Sequence, residues 1–584
     1  MEHKKIQISP DRLPEFDRKF FESDSVISRI GNGAIGGKAS GLAFIKDALH
    51  GHIGKDGFEG ITVDIPRMVV LTTVLFDRFM QHNDLYETAL SGKPDDYIAH
   101  AFNRGELPPD IVGDLRGLIE SVHTPLAIRS SSLLEDSLYE PFAGIYGTKM
   151  IPNNQPDADT RFRRFIEAIK FVYASTFFKS ARDYHRFTGH ATEEEKMAVI
   201  VQEVVGLRHY ERYYPNISGV VRSFNFYPMG RSAPEEGVVD LALGLGKTIV
   251  DGGLCWSYSP AHPRVNPPVS SARELIKKTQ SRFWAVNMGK PPEYDPLKET
   301  EYMVQGNLSE AEYDGTLRLA ASTYRPADDR VVMGLGSSGP RILTFAPVLL
   351  GEIVKLNDLI KKLMKLCEEA VGSAVEIEFA VTHETQPEEQ VRFGFLQVRP
   401  MVVSHAQIDI NESEMSGEQV LAASDRALGN GERTNISDIV YVRPDKFDTS
   451  QTRRIATELD KINQALVEEK KSYLLIGFGR WGSSDPWLGI PVEWSQVSGA
   501  SVMVEATTPE MNVELSQGAH FFHNLTAFEI FYFAINHAGP FRINWGWLDR
   551  QNIVHEAEYV RHVSLTKPLR IKVDGRKGRG VILI

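Results

Sequence analysis

Four glycines, Gly31, Gly33, Gly36 and Gly37, precede Lys38 within eight residues, and the chain after them carries Leu42, Phe44, Ile45 and Leu49 at helical spacing. Glycines let backbone N–H groups approach oxygens closely, and a helix N-terminus favours anions, so this stretch reads as a phosphate cradle. It is not a Walker A loop, because Lys38 is followed by Ala39 rather than Ser or Thr. A plain structural turn with a solvated lysine explains the same glycines. Arg129 follows the apolar run Leu126, Ala127, Ile128 and precedes Ser130, Ser131 and Ser132, so a cation and hydroxyls leave a strand end together, with Glu135 and Asp136 just beyond and a turn at Phe142 to Gly144. A second glycine turn, Gly244 to Gly246, precedes Lys247 and offers a further phosphate contact.

Glu376 and Glu378 on one strand, and Gln397 and Arg399 on another, are spaced i, i+2 and so share a face. Two carboxylates on one strand face are costly unless a cation lies between them, and hard oxygen ligands suit Mg²⁺. A solvated hairpin edge would place the same four residues in water and needs no ligand.

The elements that position these residues read as alternating strands and helices. Met68 to Thr72, Leu126 to Ser132, Met197 to Val205, Ser218 to Tyr227, Val238 to Leu243, Arg341 to Phe345, Val375 to Ala380 and Phe393 to Val398 predict strands, and Phe162 to Tyr184 predicts one long helix. Pro260 to Ser270 and Lys290 to Pro296 are proline-rich and predict loops. The pattern fits an α/β class of the α+β kind, with separate sheets rather than one doubly wound sheet. After Pro400 the chain turns polar, Thr452 to Lys471 predicts an exposed helix, and Trp481, Trp487, Trp494, Trp545 and Trp547 crowd the remainder. The expected boundary lies near residue 405.

The bulk numbers agree with a multi-lobed enzyme. At 584 residues the chain exceeds what one core usually supports, and 42% apolar with 24% charged residues is near the globular average. A formal charge of −12 argues against nucleic acid as partner while leaving room for a local basic pocket. Cys255 and Cys367 form neither a disulfide framework nor a zinc pattern. With no apolar leader and no run of about 20 apolar residues, the chain is expected to be cytoplasmic, with no membrane partner.

Taken in order, Gly36-Gly37-Lys38, Ala127 to Asp136 with Phe142 to Gly144, Met197 to Gln202, Ser218-Gly219, Gly244 to Gly246, Glu376 to Phe379 and Leu396 to Pro400 resemble the ATP-binding domain shared by phosphoenolpyruvate synthase and pyruvate phosphate dikinase. The resemblance covers roughly residues 25 to 402. It implies an ATP-grasp-like, two-lobed nucleotide-binding domain over 1–404, with lobes of about 25–235 and 236–402, followed by a smaller mixed α/β domain over 405–584. It further implies that Gly36, Gly37, Lys38, Arg129, Gly244 and Gly246 hold the phosphates of ATP. Adenine would meet backbone groups of the hinge at Gln202, Glu203 and Val205. Glu376 and Glu378 would hold Mg²⁺, and Gln397 and Arg399 would complete the γ-phosphate pocket. The family usually carries an acidic residue after Gly-Leu-Gly, where this chain has Lys247.

The family passes its phosphoryl group to a histidine and then to pyruvate in a C-terminal barrel. The tail beyond residue 405 is too short for a barrel of about 250 residues. Gly479 to Val492 faintly resembles the histidine segment, with Asp485 near the histidine's place, although a turn stabilised by Ser483 and Asp485 accounts for those residues too. His520 and His523 lie among aromatic residues; His520 is the favoured phosphoryl acceptor, against a structural histidine in an aromatic core. The expected function is an ATP- and Mg²⁺-dependent phosphotransferase of unknown acceptor. The competing expectation is a nucleotide-sensing regulatory or interaction protein that has lost transfer.

Overall fold

The structure is a computed structural model. It describes residues 9–584 except 55–56, 136–143, 189, 227–231, 266–270, 385–389, 402, 404–407, 484, 510, 512, 514–524, 526–527, 529 and 576. Its described residues form a mixed α/β architecture with several separate sheets.

The first sheet orders its strands Ile27–Ile30, Met68–Leu71, Met197–Glu203, Leu126–Ser132 and Thr148–Ile151. Two of its interior strands, Met68–Leu71 and Met197–Glu203, are apolar along nearly their whole length, as suits strands covered on both faces, while the third, Leu126–Ser132, turns polar from Arg129. The second sheet orders Trp256–Tyr258, Val238–Ala242, Ile217–Arg222, Val375–Glu384, Gln390–Pro400 and Ile61–Asp64. All its pairings are antiparallel except the last. Because Ile217–Arg222 pairs with both Val238–Ala242 and Val375–Glu384, a division near residue 235 falls inside one sheet. Helix Gly36–Ile53 packs Leu42, Ile45 and Leu49 into the core of this sheet, which it shares with Leu359 and Leu363 of helix Leu356–Val371.

The stretch expected as one helix from Phe162 to Tyr184 is two, Ala158–Ser175 and Lys179–Thr188. No Gly or Pro breaks it. The ring of Phe177 instead turns inward onto Phe76 and Phe102, with centroids 6.2 and 5.8 Å apart, and the backbone bends to deliver it.

Residues from Val420 onward build a nine-stranded sheet to which, among the described residues, no strand from the preceding chain belongs. Its centre is parallel: Asn430–Val442, Tyr473–Phe478, Ala500–Ala506 and Phe531–Ile535 lie side by side. Parallel neighbours need a crossover, and helix Thr452–Glu468 supplies the first. That duty corrects the expectation of an exposed helix, for Ile455, Leu459, Ile462 and Leu466 are buried against the sheet. Strand Arg579–Leu583 lies between Val420–Ser424 and Val560–Asp574. The core of this sheet is continuous with that of the first sheet, and Lys179 reaches Asp460 at 3.4 Å across the junction. Among the described residues no helix is long and apolar enough to cross a membrane.

Candidate functional site

The first glycine turn is fixed by a serine from another segment. Gly36 opens its helix at φ +76°, and a Cβ there would lie 1.7 Å from the carbonyl oxygen of Ser131, so only glycine fits. Ile35, at the N-cap, has no side chain able to cap. Ser131 does that work: its Oγ donates to the carbonyl of Ile35 at 2.8 Å and accepts from the amide of Ala39 at 3.1 Å. Gly37 and Lys38 follow within the first turn. Lys38 Nζ donates to Glu135 Oε1 at 2.6 Å and to Ser130 Oγ at 3.2 Å. Glu135 is buried and also accepts from Ser130 Oγ at 2.8 Å and from the amide of Ser132 at 2.9 Å. The glycine turn, the lysine and the serine strand are therefore one assembly. Asp136 and Phe142 lie outside the described residues.

Arg129 joins the two sheets. It donates to Gln202 Oε1 at 3.2 Å, to the carbonyl of Leu396 at 3.2 Å and to Gln397 Oε1 at 2.7 Å, and stands 3.6 Å from Glu378 Oε2. Gln202 is 2% exposed, yet its Nε2 has no hydrogen-bond partner among the described residues. A buried, unused donor beside a cation is a place prepared for an acceptor. Beyond it, the amides of Glu203 and Val204 donate to the carbonyls of Arg67 and Pro125, at 3.0 and 2.9 Å. These two amides are thus spent within the protein, which narrows the backbone groups of the hinge open to a base. Val205 is buried against Gly394.

The strand pairing sets Glu376 opposite Arg399 and Glu378 opposite Gln397. Guanidinium groups supply positive charge beside Glu376. Glu376 accepts from Arg222 Nε at 2.8 Å and from Arg399 Nε at 2.9 Å, and Arg222 pairs in turn with Asp240 at 2.9 Å. Asp240, Arg222, Glu376 and Arg399 form a buried chain of alternating sign, which compensates each desolvated charge. Glu378 keeps partial access to solvent, with 16% of its side chain exposed. Among the described residues no group of three or more His, Cys, Asp or Glu side chains is arranged to hold a metal ion. Nor are the four residues a solvated hairpin edge, since Glu376, Gln397 and Arg399 are buried.

At the second glycine turn Gly244 has φ +80°, and a Cβ would meet the carbonyl of Trp284 at 2.6 Å. Ser218 Oγ donates to the Gly244 carbonyl at 2.6 Å, and Gly246 leads into the short helix Lys247–Val250. Lys247 pairs with Asp251 at 2.9 Å. Glu299, which the sequence did not single out, accompanies them. Its surface is open to solvent, yet enclosure by the surrounding chain raises its carboxyl above the usual range while Lys247 and Lys38 pull it back. Accessible but enclosed is the condition of a group lining a cleft. The Thr148 amide also lowers the Glu299 carboxyl, and Thr148 pairs with Arg129 across the strands. Glu299 sits in a proline-rich loop with no periodicity or motif to mark it. Arg222 was equally hidden, inside a strand read only for its apolar residues.

In the C-terminal part Asp485 Oδ1 accepts from the amide of Trp487 at 3.0 Å, and Ser483 Oγ donates to the carbonyl of Asp485 at 3.1 Å. This is the Ser and Asp turn that accounts for the segment without a phosphorylated side chain. His520 and His523 lie outside the described residues.

The glycine-opened helix that carries Lys38 and the arginine that spans two sheets thus both meet on strand Leu126–Ser132, within a mixed α/β fold. The profile of the pyruvate phosphate dikinase AMP/ATP-binding domain matches residues 32–419, and the chain belongs to that family. A search of curated proteins found no match.

Proposed function

We propose that this chain is an ATP- and Mg²⁺-dependent phosphotransferase of the dikinase kind, with the nucleotide between the two sheets joined by Arg129. The observation that carries the reading is the convergence on Arg129 of Gln202, Leu396, Gln397 and Glu378, drawn from three separate strands. Phosphoryl transfer asks a protein for positioning and for charge neutralisation rather than for covalent chemistry. Gly36, Gly37, Lys38, Gly244, Gly246 and Lys247 present amides and ammonium groups to phosphate oxygens in an ATP-grasp-like arrangement. Gln202, Glu203 and Val205 border the base. Glu378 is the carboxylate with room for Mg²⁺, which completes its shell with phosphate oxygens and water, whereas Glu376 is held by Arg222 and Arg399. Arg399 and Gln397 support the γ-phosphate through Glu376 and Arg129.

Residues 405–584 are proposed as a second domain. The nine-stranded sheet, whose described strands all lie from Val420 onward, supports that division. His520 is the proposed acceptor within it. A nucleotide sensor without transfer is the second reading, and it is favoured by the pairing of Glu376 with two arginines, which leaves one of the two metal carboxylates occupied. Incubation with γ- and β-labelled ATP separates the two. Transfer of label, or release of AMP, supports the phosphotransferase; intact bound ATP supports the sensor. An acid-labile, base-stable label lost in His520→Ala and kept in His523→Ala assigns the acceptor, and a label surviving in His520→Ala removes His520.

A further inference from the structure

A side chain of the C-terminal part reaches the end of the helical turn that follows the second glycine turn. Arg480 Nη1 donates to the carbonyl of Gly252 at 2.6 Å, 228 positions away in sequence. Gly252 ends the turn that begins at Lys247: the amides of Asp251, Gly252 and Gly253 donate to the carbonyls of Lys247, Ile249 and Thr248, at 3.0, 3.0 and 2.8 Å. A guanidinium on a carbonyl at the end of a helical turn neutralises the partial negative charge gathered there and holds the turn from behind.

The backbone that delivers Arg480 is unusually well fixed. Arg480 and Trp481 pair in parallel with Gly489 and Ile490. Gly479 and Gly482, on either side, have φ of +71° and +73°. Their amides donate to Ala506 and Ile490 at 2.9 and 3.0 Å, and the amide of Arg480 donates to Leu488 at 2.9 Å. The amide of Trp481 donates to Glu505 Oε1 at 2.7 Å, and its indole to the carbonyl of Val504 at 3.2 Å. A Cβ on Gly489 would lie 2.0 Å from the Arg480 carbonyl, so the pairing depends on glycine. Thus a two-stranded pair, fastened to strand Ala500–Ala506 of the nine-stranded sheet, sets the position of Arg480, which is only 6% exposed. Cys255 feels the charge of Arg480, and also those of Asp240 and Arg222, which belong to the buried chain that ends at Arg399.

We propose that Arg480 is a positioning residue for the nucleotide cleft: the C-terminal part uses it to hold the Lys247 turn, and so sets the affinity of the cleft for ATP. Arg480 does not touch the phosphates; it acts through the Gly252 carbonyl on the turn that carries Lys247. The inference deepens the nucleotide-binding reading above and rests on it.

The test uses the full chain and Mg·ATP, with binding followed by calorimetry and turnover by ATP consumption. Arg480→Ala is expected to weaken ATP binding about tenfold or more, since a hydrogen bond from a charged group is lost. KM should rise with it while kcat changes less. Arg480→Lys, which keeps the charge but shortens the reach, should lie between, and it decides the matter if Arg480→Ala does not fold. Combined with Lys247→Ala, the Arg480→Ala effect should largely disappear, as two changes acting on one turn are not additive. Wild-type affinity in both Arg480 variants, or full additivity with Lys247→Ala, overturns the inference while leaving the cleft as a nucleotide site. Failure of the unaltered chain to bind Mg·ATP overturns the nucleotide reading and this inference together.

Discussion

Arg129 donates to Gln397 Oε1 at 2.7 Å across 268 positions of sequence. The same guanidinium reaches Gln202 in its own sheet, while Gln397 lies in the second, so one side chain ties the two sheets together. Arginine suits the position because its planar fork serves several acceptors at fixed angles, which a lysine cannot do.

Replacing Arg129 is therefore expected to remove turnover with little loss of fold. Arg129→Ala should lower kcat/KM by about a hundredfold or more and cost on the order of 1–3 kcal/mol in stability, the range for a lost hydrogen bond to a charged group. Arg129→Lys should not restore activity. Glu378→Gln should likewise abolish Mg²⁺-dependent turnover with an unchanged urea midpoint. Wild-type turnover in any of these variants excludes that residue from the site.

Mg·ATP should stabilise the chain. A ligand bound by the native state alone adds about 2.7 kcal/mol at a hundredfold excess over Kd. Differential scanning fluorimetry reads this as a rise in Tm, larger with ATP than with AMP. An identical trace with and without every nucleotide would sink the assignment of the cleft.

Gly36→Ala should be far more damaging than an ordinary helix substitution. The added Cβ meets the Ser131 carbonyl at 1.7 Å and the residue is held at φ +76°. A cost of at least about 1–3 kcal/mol is expected from the backbone strain alone. Gly51→Ala, in the same helix with nothing within 4 Å of its Cβ, is the control and should be neutral or slightly stabilising. Equal denaturation midpoints for the two variants would contradict the packing of the glycine turn on the serine strand.

Stability should also fall as pH rises from about 4.5 to 7 because of Glu195. Neither of its carboxyl oxygens finds a hydrogen bond of ordinary geometry. Burial first, and then the neighbouring Glu135 charge, push it from the usual 4.5 up to about 7, with partial relief from Ser132 and the amides of Leu133 and Lys196. Between those values the folded state holds a proton that the unfolded state has released, so ΔG of unfolding falls with pH. The penalty is absent below 4.5 and complete above 7, on the order of 3 kcal/mol. Glu195→Gln should flatten this part of the curve in urea titrations at successive pH values. A wild-type slope retained in the variant would place the proton elsewhere.

The strands that carry the site were largely legible as segments. Arg129 with its serines, Gln397 with Arg399, and the paired glutamates were all visible as short polar sets at strand spacing, and the structure brings Arg129, Gln397 and Glu378 together. What charge compensates Glu376 was not legible, because Arg222 lies some 150 residues away on a strand whose neighbours are set by sheet order, not by local pattern. The helix break at Phe177 was hidden for a similar reason: local propensity favours continuity there, and only the ring's burial onto Phe76 opposes it. Glu299 belongs to a loop, where composition carries almost no positional information.

The place of strand Arg579–Leu583, between Val420–Ser424 and Val560–Asp574, bears on how the chain is made as well as how it is held. During synthesis Val420–Ser424 emerges about 160 residues before its partner, and its hydrogen-bonding edge must wait. Until Arg579–Leu583 arrives, an apolar strand with an open edge is presented to other nascent chains, which is a template for unwanted pairing. The nine-stranded sheet thus receives Arg579–Leu583 after its other described strands have been made, and truncation or stalling shortly before residue 579 should yield aggregates rather than a shortened native fold.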